Sequence, residues 1–512
     1  MEKQNEIESA QKQSDRNRYR NSFAATLLFS GVQIYQILIS IIKSKFVALF
    51  IGPAGMGIQS LLQSTKDTIS AVTNLGLNTS SVKTIAAANR NGDREKLSKT
   101  ILALRRLIWL TGGVGLLTCA LLSPVWSKTS FGSYDFILAF VIVSVVVLLD
   151  QLNKGELALL QGMQQKKQLA RANVIGQTLN AMVTIPLYYF WGVKAIVAAL
   201  VIGSLIAFSI SSYYSHRVRI EKVQMTWKET FSFGHEMIKL GFFLSLQSLM
   251  ATVVVWVIRN FVSNHGGVDE VGLYTAGTSI VSTYLGLVFS AIATDYFPRL
   301  SATNSNKEMN IAVRTQAELS ILLLAPLAVA FIVLSKPIII LLYSGKFLPI
   351  EHMMYWAIGA VLTQAMGWAL SYTLLAKAKP LYFFLNELCS TAWGLPIKLF
   401  CYTRWGLTGF GMATFICYVL YLVQILIVAG KLFGLSYNAK IWKLYLLLNF
   451  PVIITVLCKL YLEEKISYII GIVILIAVAV IVIKRLNKIM DLRGLLKTKI
   501  KTKFERHNEK NN

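Results

Sequence analysis

A chain of 512 residues that is 55% hydrophobic and 15% charged, with a mean hydropathy of +0.56, carries more apolar surface than a water-soluble core can hide. An ordinary soluble domain is excluded, and the chain reads as a polytopic membrane protein. Its net charge of +26 is spread over many short segments between apolar runs, which suits topology signals and anionic headgroups and argues against nucleic acid as a partner.

In chain order, apolar runs able to cross about 30 Å of hydrocarbon lie near 22–50, 56–80, 101–122, 135–158, 169–190 and 193–214. A second set follows near 237–261, 271–297, 314–335, 353–376, 381–402 and 406–430, and two further runs near 440–461 and 467–484. The expected fold is all-α and integral to the membrane, with about fourteen transmembrane helices. It divides into a first lobe over 1–220, a second over 221–430, and a final pair of helices with a basic tail over 431–512.

An internal echo supports two lobes. The stretch from Phe46 through Gly52 to Gly57 is answered by Phe261 through Gly267 to Gly272, and Trp191-Gly192-Val193-Lys194-Ala195 by Trp405-Gly406-Leu407-Thr408-Gly409. The shared offset of about 215 residues is too long for a solenoid and suits a duplicated half-transporter.

About forty of the 51 Lys and Arg fall on the side of the membrane that holds both termini, which makes that side cytoplasmic and puts a periplasmic loop near Gly266 and Gly267. No cleavable signal peptide is visible in Met1–Arg20. The segment 221–233, with Lys222, Trp227, Lys228, Phe231 and Phe233, reads as an interfacial connector between lobes. Five scattered cysteines and five scattered histidines form no metal or disulfide pattern, and no P-loop, nucleophile elbow or His-Glu-x-x-His motif occurs. Neither an enzyme nor an ATP-driven pump is indicated, and no cofactor is expected.

Polar residues inside apolar helices carry the functional information, because in hydrocarbon they must face a partner or water. Gln33, Gln36, Ser40 and Lys43 share one face of the first run; Gln59, Gln63, Lys66, Ser70 and Thr73 line the second and are followed by Asn74. Asn173, Gln177, Asn180 and Thr184 mark the fifth run, and Ser245, Ser248, Thr252, Trp256 and Arg259 the seventh. A polar cavity shared by the lobes would explain all four stripes; hydrogen bonding between neighbouring helices would also satisfy the uncharged members. Trp368 and Tyr372, in line with Gln364, either stack on a ligand or fill the bundle. Among intramembrane carboxylates, Asp150 is spaced to pair with Lys154 and Asp295 with Arg299. Asp67 differs, since its neighbour Lys66 points about 100° away around the helix, so it needs another counter-charge, water or a proton. That makes it a coupling candidate.

The turn Gly52-Pro53-Ala54-Gly55-Met56-Gly57, the triplet Leu160-Gln161-Gly162 and the stretch from Ala293 through Asp295-Tyr296-Phe297-Pro298-Arg299 to Ser301 resemble bacterial polysaccharide transporters. Over roughly residues 20–485 the chain is similar to Wzx-type O-antigen and enterobacterial-common-antigen flippases of the multidrug/oligosaccharidyl-lipid/polysaccharide exporter superfamily. The resemblance implies a V-shaped pair of six-helix lobes around a central cavity plus two C-terminal helices. It further implies movement of an undecaprenyl-pyrophosphate-linked oligosaccharide from the cytoplasmic to the periplasmic leaflet of the bacterial inner membrane. Membrane lipids are partners on this reading, and a polysaccharide polymerase and a chain-length regulator stay open as others.

Such a cargo needs buried cations, amides and aromatic groups. Lys43 lies about 13 Å along its helix from Gly52, and the repeat offset maps Arg259 onto Ser44, so both lobes carry a cation at matching depth. A pyrophosphate clamp of Lys43 and Arg259, with Lys66 as a third member, is the expected site, while Lys45 is rotated away. The alternatives are a multidrug or organic cation antiporter of the same superfamily, whose cavity should be lined by carboxylates, and a non-transporting scaffold of an envelope polysaccharide assembly.

Overall fold

The computed structural model describes residues 2–90, 93–218, 221, 223–377 and 379–490, with side chains from Gly31 onward. Lys222 and the basic tail beyond Met490 lie outside the described residues. The elements are α-helical: α1 (Glu2–Thr73), α2 (Leu77–Arg90), α3 (Arg94–Leu121), α4 (Ser123–Phe131), α5 (Ile137–Gly162), α6 (Lys166–Trp191), α7 (Ile196–His216) and α8 (Trp227–Ile280). There follow α9 (Gly286–Ser301), α10 (Asn306–Val333), α11 (Ser335–Leu342), α12 (Glu351–Gly359), α13 (Val361–Ala376), α14 (Pro380–Phe433), α15 (Ala439–Tyr461) and α16 (Glu464–Met490).

Among the described residues nine helical stretches are long and apolar enough to span a membrane, or ten when Gly345–Gly359 and Val361–Ala376, bent by 46°, are taken as one. Four of them, Gly31–Thr73, Lys166–His216, Trp227–Ser301 and Pro380–Phe433, run 43, 51, 75 and 54 residues, at least twice the roughly 20 that a bilayer needs. Each is broken near its middle, so that with the bent pair taken as one the described residues hold fourteen spans. The breaks fall at Gly52, Gly192, Gly267 and Gly406, all with positive φ, a backbone conformation open to glycine at little steric penalty.

These are the residues that the internal echo pairs, and the backbone angles agree pairwise. Gly52 (φ 63, ψ −169) matches Gly267 (φ 84, ψ 174), and Gly192 (φ 55, ψ −134) matches Gly406 (φ 56, ψ −141). The loop expected near Gly266 and Gly267 is therefore a one-residue break inside α8. Past these breaks two helices touch backbone to backbone. A Cβ on Gly57 would sit 1.9 Å from the Val268 carbonyl oxygen, and one on Gly272 would sit 1.9 Å from that of Pro53.

Three boundaries differ from the apolar pattern. The second run ends at Thr73, where Leu75 (φ 52) and Gly76 (φ 70) turn the chain into α2. α3 begins at Arg94, because Asp93 caps it by accepting from Lys96 N at 2.9 Å. α8 begins at Trp227, behind a reciprocal capping box in which Thr226 N donates to Glu229 Oε2 (2.7 Å) and Glu229 N to Thr226 Oγ1 (3.3 Å). Trp227 and Phe231 are exposed beside this start, with the Arg106 guanidinium 5.3 Å from the Trp227 ring.

The chain forms two compact units. The first holds Met1–Leu273 with Leu342–Lys346, and the second Tyr274–Leu341 with the chain from Phe347 onward. In the first, α5 packs between α3 and α7, and α6 lies on α7 and α1. Its interior is aliphatic, with Leu104, Leu107, Leu159, Phe140 and Val143 almost wholly buried. In the second, α13 packs on α10 and α14, and α10 also carries α15 and α16. Ile466, Ile469, Val473, Ile476, Val480 and Ile483 make an exposed apolar stripe along α16, as lipid requires.

Candidate functional site

Two adjoining polar cavities open inside the first unit. One, of about 200 Å³, is lined by Lys43, Gln59, Gln63, Lys66, Asp150, Asn180, Thr184 and Ser204 among others. The other, of about 180 Å³, is lined by Gln36, Asn153, Asn173, Gln177, Asn180 and Ser211 among others. Asn180 and Ala207 belong to both linings.

Helical spacing explains the convergence. The polar face of α1 before Gly52 meets that of α6, and Tyr35 Oη bonds Thr178 Oγ1 at 2.7 Å along the seam. Beyond it, Lys43 Nζ donates to Asn180 Oδ1 (2.9 Å), which also accepts from Thr184 Oγ1 (2.8 Å). Gly203 of α7 makes room for this amide, since a Cβ there would lie 2.7 Å from Asn180 Nδ2. The partner of Lys43 is thus a neutral amide. Among the described residues the amine bonds this amide and no carboxylate, an arrangement that an anionic ligand can exploit.

Lys66 is different. It is buried, bonds Asp150 Oδ2, and lies 3.1 Å from Asp67 Oδ1, while Ser204 Oγ donates to Asp150 Oδ1 at 2.7 Å. Two expectations are corrected here. Asp67 finds its counter-charge in its neighbour Lys66, because the long lysine stem folds back where a short one could not. Asp150 pairs with Lys66 of α1, and Lys154 is exposed. The Asp295–Arg299 pair does form, at 3.8 Å.

The stripe of α8 takes another course. Ser245, Ser248 and Thr252 donate to backbone carbonyls of their own helix. Trp256 Nε1 donates to Thr65 Oγ1 (3.1 Å), with its ring edge-on to Trp126. Arg259 Nη1 donates to the Ser60 carbonyl (3.2 Å), and neither Trp256 nor Arg259 lines the two cavities. Lys43 and Lys66 are brought to one cavity; Arg259 is bonded to a different face of α1. Gln33 is exposed outside both linings. Asn74 is buried in the turn between α1 and α2, where its Oδ1 meets Asn78 N at 3.4 Å, so it braces the turn and faces neither cavity.

In the second unit Trp368 and Tyr372 of α13 stand with ring centroids 4.1 Å apart, next to Phe289, Tyr296 and Phe297 of α9. Tyr296 Oη is tied to the Ala369 carbonyl at 2.7 Å. Gln364, half-buried, precedes Trp368 by one turn. The cluster packs α9 on α13 and leaves part of the Trp368 and Tyr372 rings accessible. Sequence reasoning missed Asn153, Ser204 and Ser211 as lining residues, since single polar residues on α5 and α7 form no stripe.

Comparison with known proteins bears on this arrangement. A family described as polysaccharide biosynthesis protein matches residues 22–304. A Shigella flexneri protein provisionally named an O-antigen transporter is 27% identical over 321 residues, covering 61% of this chain and 72% of its own. The lipid III flippase of Escherichia coli (strain K12) is 20% identical over 375 residues, covering 71% and 87%. Among solved structures, lipid II flippase MurJ in an inward closed conformation superposes with a TM-score of 0.68 at 13% identity, over 90% of this chain and 99% of its own. An inward-facing MATE family multidrug transporter gives 0.62 at 14%, over 80% and 95%. These structural likenesses show the fold. With more than half of its length matched, this multi-pass membrane protein belongs to the polysaccharide biosynthesis protein family.

Proposed function

We propose that the chain is a flippase for an undecaprenyl-pyrophosphate-linked oligosaccharide, an O-antigen or related repeat unit, moved from the cytoplasmic to the periplasmic leaflet with both termini cytoplasmic. The observation that carries the reading is Lys43, a cation on a neutral amide in a cavity that also presents Gln59, Gln63 and the Lys66–Asp150 pair. Family membership and relatives named for O-antigen and lipid III support the cargo class.

Lys43 holds the pyrophosphate, and Gln36, Gln59, Gln63, Asn173, Gln177 and Asn180 offer amides to sugar hydroxyls. Gln33 serves only outside the described cavities, on the path of the glycan, and Asn74 acts only through the turn between α1 and α2 that it braces. When a phosphate takes Lys66 from its carboxylates, one of the pair is left to accept a proton, the coupling role assigned to Asp67. Arg259 completes the clamp once its bond to the Ser60 carbonyl is given up, with Trp256 moving on the same helix. Gln364, Trp368 and Tyr372 provide a stacking surface for the glycan in the second unit. A polymerase and a chain-length regulator would receive the product.

The test is complementation of a deletion strain. Lys43→Ala is expected to abolish glycan export at normal membrane abundance, while Lys45→Ala stays close to wild type. Full export by the Lys43→Ala, Arg259→Ala double variant sinks the clamp. Restored drug resistance without glycan export would favour the cation antiporter, whose fold this chain shares.

A further inference from the structure

Before its break, α14 carries a single carboxylate, Glu387, seven residues past Pro380 and so about 10 Å into an apolar helix. It is half-buried, and what surrounds it is neutral and built. Tyr421 Oη donates to Glu387 Oε1 at 2.6 Å, and Asn386 Nδ2 approaches the same oxygen at 3.5 Å. Asn386 is itself held by Gln424 Nε2, at 2.8 Å to both its carbonyl and its Oδ1, and Gln424 Oε1 accepts from Trp393 Nε1 at 2.8 Å. Both donors converge on Oε1, which leaves Oε2 as the atom able to take a proton.

We propose that Glu387 is a proton-binding site within the membrane-spanning part of the second unit, with Tyr421 as its positioning residue. The proposal does not rest on the identity of the cargo. A carboxylate in apolar surroundings needs a counter-charge or must be neutral, and among the described residues this carboxylate is bonded by a phenol and an amide, not by a cation. On its own helix, Lys379 stacks on Tyr382 and Phe433, Cys389 is exposed, and Lys398 is eleven residues on, about 16 Å along the axis. After the break α14 supplies Cys417, Tyr418 and Tyr421, with Lys431 only in its last turn. α13 contains no Asp, Glu, Lys, Arg or His, and its titratable group is Tyr372. α12 offers His352 and Glu351, the latter bonded to Ser335.

A metal ion fits less well than a proton. The groups nearest Oε1 are hydrogen-bond donors, Asn386 Oδ1 is already occupied by Gln424, and no cluster of three acidic, His or Cys groups occurs among the described residues. Tyr421 then fixes the carboxyl rotamer and steadies the ionised form after the proton leaves.

Dicyclohexylcarbodiimide, which partitions into membranes and adds whole to a protonated carboxyl, tests this in the full-length protein in nanodiscs. Mass spectrometry is expected to find the adduct at Glu387, falling about tenfold or more from pH 6 to pH 10, and absent in Glu387→Gln. Asp67 and Asp150, paired with Lys66, should stay unlabelled. Tyr421→Phe should keep labelling to higher pH, a change that loss of packing alone would not produce. Labelling of Asp67 or Asp150 in place of Glu387, a pH-independent adduct, or protection by sodium at fixed pH and ionic strength would each overturn the proton site. An unchanged pH profile in Tyr421→Phe would overturn the role of the phenol.

Discussion

Lys66 in the first unit and Glu387 in the second, one buried charge from each, are handled in opposite ways. In the first, Lys66 is held between Asp67 and Asp150, so positive and negative groups answer each other inside hydrocarbon. In the second, Glu387 is met by a phenol and an amide, with no ammonium or guanidinium bonded to it among the described residues. An ion pair resists a proton, whereas a lone carboxyl with neutral donors invites one. Lys66 and Glu387 thus sit in different electrostatic surroundings, although the backbone breaks at Gly52 and Gly267, and at Gly192 and Gly406, have matching angles.

Breaking the ion pair should have the largest effect. Lys66→Ala leaves two carboxylates without their ammonium, a loss of about 3–5 kcal/mol, read as reduced membrane abundance and a lower unfolding temperature in detergent. Adding Asp150→Asn should recover part of it, while Glu387→Gln alone should leave unfolding near wild type. Equal destabilisation by Lys66→Ala and Glu387→Gln would erase the contrast between the units.

The next effect tests the internal echo, whose paired breaks Gly52 and Gly267 both lie in the first unit. Gly52→Ala and Gly267→Ala force an alanine to positive φ with ψ near 180°, a region essentially reserved for glycine, each costing roughly 1–3 kcal/mol, and the two losses should match because the angles do. A cost at one site only would show that the echo is a coincidence of sequence. The smallest effect concerns Arg259. Arg259→Lys keeps the charge and loses the planar fork, so export should be reduced and not abolished.

Much of this fold was legible because hydrophobic length dictates spans and because glycine at a helix break leaves a mark in sequence. Gly52 and Gly267 could be paired before any coordinates. The starts of α3 and α8 were misplaced because apolarity was followed where capping was decisive: Asp93 and the Thr226–Glu229 box were present to be read. In the site, the amide stripe on α6 and Lys43 were visible as helical periodicity. The alliance of Lys66 with Asp150 was not, because it joins residues 84 apart in sequence and depends on how α1 meets α5. Glu387 escaped for a similar reason, since Asn386, Tyr421 and Gln424 come together only when α14 folds back at Gly406.

The touching glycines carry one more consequence. Gly57 is the repeat counterpart of Gly272, and Pro53 of Val268, so the contact of Gly57 with Val268 and the contact of Gly272 with Pro53 are the same contact seen from its two ends. Such reciprocity is the mark of an isologous dimer interface, here made within one chain. A methyl group on either glycine would strike a carbonyl oxygen, so the crossing admits no side chain at either of its two equivalent ends.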